Sequence, residues 1–179
     1  METKLWADPA YPCDPIETIH ATVERVSQTL LRFRYVVIGD ISQLRIPPPA
    51  PPVRTARLWE ATCFEAFLRA EGENAYLELN FSPSSQWAAY AFTHYRQGMA
   101  NAPLPAAPEI SVGRSAGRLE VQVAVSPNLG AGPCSLNVAA ILENSGGERS
   151  FWAARHPGDG PDFHHPSCFI DRLPPADQP

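Results

Sequence analysis

Apolar and polar residues alternate with period two along most of the chain. Leu31, Phe33, Tyr35 and Val37 alternate with Arg32, Arg34 and Val36, and Leu77, Leu79 and Phe81 lie opposite Tyr76, Glu78 and Asn80. Leu119, Val121, Val123 and Val125 alternate with Glu120, Gln122 and Ala124, and Leu136, Val138, Ala140 and Leu142 form a further row. Successive side chains of a strand point to opposite faces, so these rows predict half-buried antiparallel strands. Turn-forming clusters separate them, among them Gly39-Asp40, Glu71-Gly72-Glu73-Asn74, Ser82-Pro83-Ser84-Ser85 and Ser145-Gly146-Gly147. Their regular recurrence predicts an all-β fold, an antiparallel two-sheet β-sandwich of jelly-roll type with about eight to eleven strands. No long segment carries a helical period. The run from Ile16 to Leu30 reads as a strand after an irregular N-terminus over residues 1–15. Ile46 to Arg54, IPPPAPPVR, cannot occupy a central strand because proline has no N–H to donate. Residues 156–179 read as a turn-rich tail that wraps an edge or one end of the fold.

One stretch departs from clean alternation. From Leu58 to Arg96 the chain reads LWEATCFEAFL, a polar turn, then AYLELNFSPSSQWAAYAFTHYR. Glu65 shares parity with Cys63 and Phe67, while Phe64 and Leu68 occupy the other parity. A strand apolar on both faces is covered on both faces, so this carboxylate is predicted to be buried. A buried charge is costly unless it is paired or hydrogen-bonded, and Tyr76, Asn80, Tyr95 and Arg96 are the nearby groups able to answer it.

Length and charge narrow the classes. A chain of 179 residues suits one domain, 1–179, with a sizeable core. The net charge of −5 and the dispersed arginines argue against a nucleic-acid partner. No apolar run is long enough to span a bilayer and the start carries no secretory signature, so no membrane partner and a cytoplasmic location are expected. Cys13, Cys63, Cys134 and Cys168 form no CxxC pair, and free thiols are expected in that compartment. Abundant proline and a single lysine, Lys4, match the compositional bias of a GC-rich bacterial genome.

LWEATCFEAFL at 58–68, YLELNFSPSSQWAAYAF at 76–92, HYRQGM at 94–99 and FWAARHPGDGPDFHH at 151–165 resemble the DOMON-like group of β-sandwich domains, close to family 9 carbohydrate-binding modules. In that group an acidic residue between apolar ones is followed by a hairpin partner ending in an Asn-x-x-Pro-like turn, matched here by Glu65 and by Asn80-Phe81-Ser82-Pro83. The resemblance implies a jelly roll that binds sugars or haem. Sugar-binding members use aromatic and polar side chains, and haem-binding members use Met, His or Lys. No pair of sugar-sandwiching tryptophans maps here residue by residue, and no motif fixes an axial ligand pair.

The residues themselves offer several constellations, each with a structural reading beside the functional one. Trp59, Trp87, Tyr90, Tyr95 and Trp152 could stack on a pyranose, or fill a core. Trp87, just past the Ser82–Ser85 turn, is the expected ligand-facing ring, with Trp59 and Trp152 structural. Glu65, Asn80 and Arg96 could orient a hydroxylated ligand, or fix strand register as an internal network. His156, Asp162 and His164 have the donor types of a zinc or non-haem metal site, or could pin the tail through His–Asp hydrogen bonds. Met99 with His94 or His164 could ligate haem, without any CxxCH attachment motif. Glu65 and Glu78 could form a glycosidase pair if their strands converge. No GxSxG, P-loop or GxGxxG sequence is present.

The expected role is therefore non-catalytic binding of a small polar ligand, a carbohydrate or sugar-derived metabolite, by Glu65, Asn80, Trp87, Tyr95 and Arg96, without a cofactor. The alternatives are a haem- or metal-binding redox or sensor domain and a protein-interaction module. The pattern sets no oligomeric state.

Overall fold

The computed structural model describes residues 1–158 and 160–176. Twelve strands run through them in chain order: β1 (Glu2–Ala7), β2 (Ile16–Arg25), β3 (Leu31–Gly39), β4 (Cys63–Ala70), β5 (Tyr76–Phe81), β6 (Trp87–Phe92), β7 (Ala100–Asn101), β8 (Glu109–Ser115), β9 (Arg118–Val125), β10 (Cys134–Glu143), β11 (Arg149–Ala153) and β12 (Asp171–Leu173). The pairings between them are antiparallel and follow the order β7-β6-β5-β4-β10-β11-β1-β2-β3-β9-β8, with β12 paired to β10. The helical elements among the described residues are three-residue 3-10 turns. None is long and apolar enough to cross a membrane.

β1 is the hinge of this path. Glu2 to Leu5 pair with β2, while Trp6 and Ala7 pair with β11. The sheet curls there, and strands far apart along the path face one another across the main core. The Tyr35 ring lies 5.0 Å from that of Phe64, and Phe33 lies 5.6 Å from Phe81. Leu79, Val138, Leu119 and Val121, each on the parity predicted to be apolar, are fully buried in the same core. The Tyr35 hydroxyl donates across it to the backbone carbonyl of Glu65 at 2.8 Å.

Three expectations need correction. Residues 1–15 are not irregular throughout, since Glu2–Ala7 form β1; a short strand pairing mainly through its backbone carries little hydrophobic period of its own. The run starting at Leu58 does not begin as a strand: Leu58–Glu60 form a 3-10 turn and β4 starts only at Cys63. The strand number exceeds the expected range because two- and three-residue pieces, β7 and β12, fall below what alternation can reveal. Within residues 156–176, β12 pairs with Cys134 to Leu136 of β10, beyond the stretch of β10 that β11 covers.

The outer face of the β4, β5, β6 and β10 region is also buried. Cys63, Phe67, Tyr76, Ala88, Tyr90, Phe92, Ala139 and Ile141 point there, beneath Leu58 from the 3-10 turn and Phe163 from the tail. This second cluster explains why β4 is apolar on both parities. The buried hydroxyl of Tyr35 joins the two layers of that arrangement at the site residue Glu65. Tyr35→Phe is expected to lower the unfolding free energy by about 1 kcal/mol, a typical value for one buried hydrogen bond. Urea denaturation tests this, and an unchanged midpoint would remove the bond from the account of the core.

Candidate functional site

A cavity of about 370 Å³ lies on that outer face, between the sheet and its cover. Its floor carries Glu65 from β4 and Glu78 from β5, with Ile141 of β10 beside them. Trp59, Phe92, Phe151 and Phe163 supply aromatic lining, and Arg96, Met99, Pro161 and His164 complete it. The sequence places these groups together for a simple reason. Glu65, Glu78 and Asn80 share one parity of a β-hairpin whose register sets Glu65 opposite Asn80 and Phe67 opposite Glu78. Same-face neighbours of paired strands lie within side-chain reach of one another.

The floor is buried yet lightly bonded. Glu65 is 3 % exposed and Glu78 5 %. Asn80 donates its amide to Glu78 Oε1 at 2.7 Å. Among the described residues, no side-chain or backbone donor bonds the Glu65 carboxyl. Burial, and then the charge of Glu78, push Glu65 well above the usual carboxylate range. Burial raises Glu78 as well, opposed by the Asn80 bond and by the Arg96 charge. The pair therefore favours holding a proton over carrying two charges.

The wall beside them is a closed polar network. Arg96 donates Nη2 to Asp162 Oδ1 at 2.7 Å and Nε to the same oxygen at 3.2 Å, and Tyr95 donates its hydroxyl to the other oxygen. Burial opposes ionisation of Asp162, but the donors Tyr95 and Arg96 outweigh it and hold this carboxyl below its usual range. The backbone N–H of Arg96 donates to the Tyr76 hydroxyl at 3.1 Å, and that hydroxyl meets His164 Nδ1 at 2.8 Å. The other ring nitrogen of His164, Nε2, lies 3.6 Å from Glu78 Oε2. A tight turn makes this possible. Arg96 adopts a left-handed φ of 54°, and a Cβ on Gly98 would sit 2.4 Å from Thr93 Oγ1.

The structure sorts the expected ligand-binding residues unevenly. Glu65 and Arg96 line the cavity; Asn80 lies in the floor behind Glu78 and acts through it. Tyr95 is exposed and engaged with Asp162. Trp87 is a correction. It points into the main core from the opposite face of β6, its Nε1 donates to Pro52 O at 3.4 Å, and the Arg54 guanidinium stacks 4.4 Å from its ring centroid. The proline-rich segment seals this end of β6, where Arg54 bridges to Trp87, so the ring is structural. Trp59, read as structural, instead lines the cavity: it shares the odd parity of Cys63 and Glu65 and packs on the same outer face from the 3-10 turn. Trp152 is in the core, as expected.

The metal reading of His156, Asp162 and His164 is also corrected. The three go to different partners: His156 bonds Trp6 O at 2.7 Å and lies 3.5 Å from Asp8, Asp162 holds Tyr95 and Arg96, and His164 faces Tyr76 and Glu78. No group of three His, Cys, Asp or Glu side chains among the described residues is arranged to hold a metal ion. For haem, Met99 and His164 do share the cavity, but both nitrogens of His164 are turned to protein groups and His94 lies in the exposed turn outside the cavity lining. These residues do not fit an axial ligand set. Glu78 was legible only as the formal partner of Glu65; its identical parity to Asn80 was the signal. Phe151 and Phe163 gave none, because they reach the site from β11 and the tail.

No protein-family model matches the chain, and no curated protein matches it in sequence. Solved structures do resemble it in fold. A candidate carbohydrate-binding protein from Bacteroides uniformis superposes with a TM-score of 0.66 at 13% identity, over 94% of this chain and 83% of that one. A family 9 carbohydrate-binding module from Caldicellulosiruptor kristjanssonii, solved with glucose, gives 0.55 at 10% identity, over 90% and 79%. A structure of such a module from the same organism with cellotriose gives 0.51 at 11% identity, over 88% and 75%. At these identities the likeness is one of fold.

Burial, and next the Arg96 charge, lower the pKa of His164 to about 4. The folded protein thus takes up this proton less readily than the unfolded chain, so the contribution of His164 to stability is complete above about pH 6.5 and is lost as pH falls toward 4. Ring-proton NMR is expected to show a neutral His164 at pH 5.5. A midpoint near 6.5 would mean that the ring is open to solvent.

Proposed function

We propose that this protein is a non-catalytic binding domain for a small polar ligand of the sugar class, held in the cavity over Glu65 and Glu78. The observation that carries the reading is the cavity itself: two buried carboxylates line it together with the rings of Trp59, Phe92, Phe151 and Phe163. Carboxylates accept hydroxyl hydrogen bonds, and flat apolar rings cover the C–H face of a pyranose. A cavity of this volume lies within the range of small-molecule sites. The fold likeness to family 9 modules solved with glucose and cellotriose supports the same class.

In finer terms, we infer a two-sheet jelly-roll sandwich of the DOMON-like group in which β1 passes from one sheet to the other. The change of partner after Leu5 supports this. Binding needs no cofactor in this reading. The ligand-facing set becomes Glu65, Glu78, Arg96 and Trp59, with Asn80 and His164 positioning Glu78 and Tyr95 supporting Arg96 through Asp162.

The test is a calorimetric and NMR titration with glucose and cellotriose as first probes, followed by a panel of mono- and disaccharides. Saturable binding is expected, with shifts at Trp59, Phe92 and Phe151. Trp59→Ala should weaken it about tenfold or more, a loss of ~1.4 kcal/mol, while Trp87→Phe lowers stability and leaves binding intact. Failure of every sugar in the panel to bind would overturn the reading. So would saturable shifts confined to the outer face of β3 and β9.

A further inference from the structure

We infer that the ligand of this cavity carries a protonated amine, which sits on the Glu65–Glu78 floor; the inference rests on the sugar-class reading above and makes the ligand an amino sugar or a similarly compact amino-polyol. The reason lies in the charges facing the space. Two carboxylates, from β4 and β5, open into it. The cation that also lines it, Arg96, is committed to Asp162 by two hydrogen bonds; its charge acts on Glu78, while burial and the Glu78 charge are what act on Glu65. His164 Nε2 lies 3.6 Å from Glu78, longer than a hydrogen bond, and the ring is neutral at ordinary pH. The Asn80 amide is spent on one oxygen of Glu78. That leaves the Glu65 carboxyl, almost wholly buried and aimed at the cavity, without a protein donor among the described residues.

Burying a carboxylate pair without a counter-ion is so costly that the floor by itself favours holding a proton, a place that a bound cation can take. A hydroxyl donor relieves it only in part, because it brings no charge. An ammonium brings both the donors and the charge: its three N–H groups can reach both glutamates, and its attraction is strengthened where water is excluded. The aromatic lining adds to the same preference, since Trp59, Phe92, Phe151 and Phe163 share the cavity with the carboxylates and an aromatic ring attracts a cation. N-acetylation would remove the charge and leave a single N–H donor while adding bulk.

Isothermal titration of the full chain at pH 7 with glucosamine, glucose, N-acetylglucosamine and ethanolamine tests this. Glucosamine is expected to bind about tenfold or more tighter than glucose, and N-acetylglucosamine no better than glucose. Glu65→Gln should reduce glucosamine affinity far more than glucose affinity, bringing their ratio toward one. If Glu65→Gln does not fold, Glu78→Gln and the wild-type ligand series carry the same comparison. Equal binding of glucose and glucosamine would overturn the ammonium inference and leave the sugar reading standing. Binding of ethanolamine with no sugar bound at all would uphold the ammonium seat and overturn the sugar reading. Silence from all four ligands would overturn the inference.

Discussion

Everything in this fold depends on burying β4 and its neighbours on both faces. One face of the β4, β5, β6 and β10 region meets the β2, β3 and β9 region across the main core. The other has no second sheet and must be covered by what the chain has left, the 58–60 turn and the segment after β11. Apolar area removed from water drives both coverings, at roughly 25 cal/mol per Å². The outer covering is assembled from irregular chain, so it leaves a gap. That gap is the cavity.

Irregular chain has no hydrogen-bonded ladder to hold it, and named polar contacts replace one here. Asn137 donates from the sheet to Phe163 O at 2.9 Å, Tyr76 holds His164, and Arg96 holds Asp162. Three successive residues of the tail, Asp162 to His164, are thereby tied to three separate elements of the sheet region. The same contacts set the electrostatics of the site. Asp162 engages the guanidinium of Arg96, and Tyr76 fixes which nitrogen of His164 faces Glu78. Cover and chemistry are one set of interactions, so the carboxylate floor stays under-compensated because the cations nearby are already committed to structure.

The polar floor was legible because it obeys the strand period. Glu65 interrupts an apolar parity, and Glu78 and Asn80 share a parity on the next strand, so the polar positions followed from spacing, while their convergence came from the hairpin register. The tryptophans could not be sorted in this way. Trp87 sits at the start of its strand beside a Ser-Pro turn, where a site ring and a core ring have the same local sequence; the proline-rich segment that seals it lies more than thirty residues upstream. Trp59 lies in an apolar run that looks like the continuation of a strand. Its odd parity matches that of Glu65, but the 3-10 turn ends the run before β4 begins, so the local sequence does not tell a ring that covers the sheet from one that faces a ligand.

The sequence by itself determined the all-β class, the antiparallel pairing and the burial of Glu65, because each of these follows from local alternation and from the cost of an exposed apolar parity. It also supplied the donor types of the tail. Only the tertiary structure decided where those donors went. His156 went to β1 and Asp8, Asp162 to the turn after β6, and His164 to the carboxylate floor, so that a run of apparent metal ligands became three separate fastenings. The physical reason is that a side chain in irregular backbone has no fixed periodicity. Its partner is whichever buried group the packing of distant strands brings within about 3 Å, and nothing in the local sequence encodes that distance.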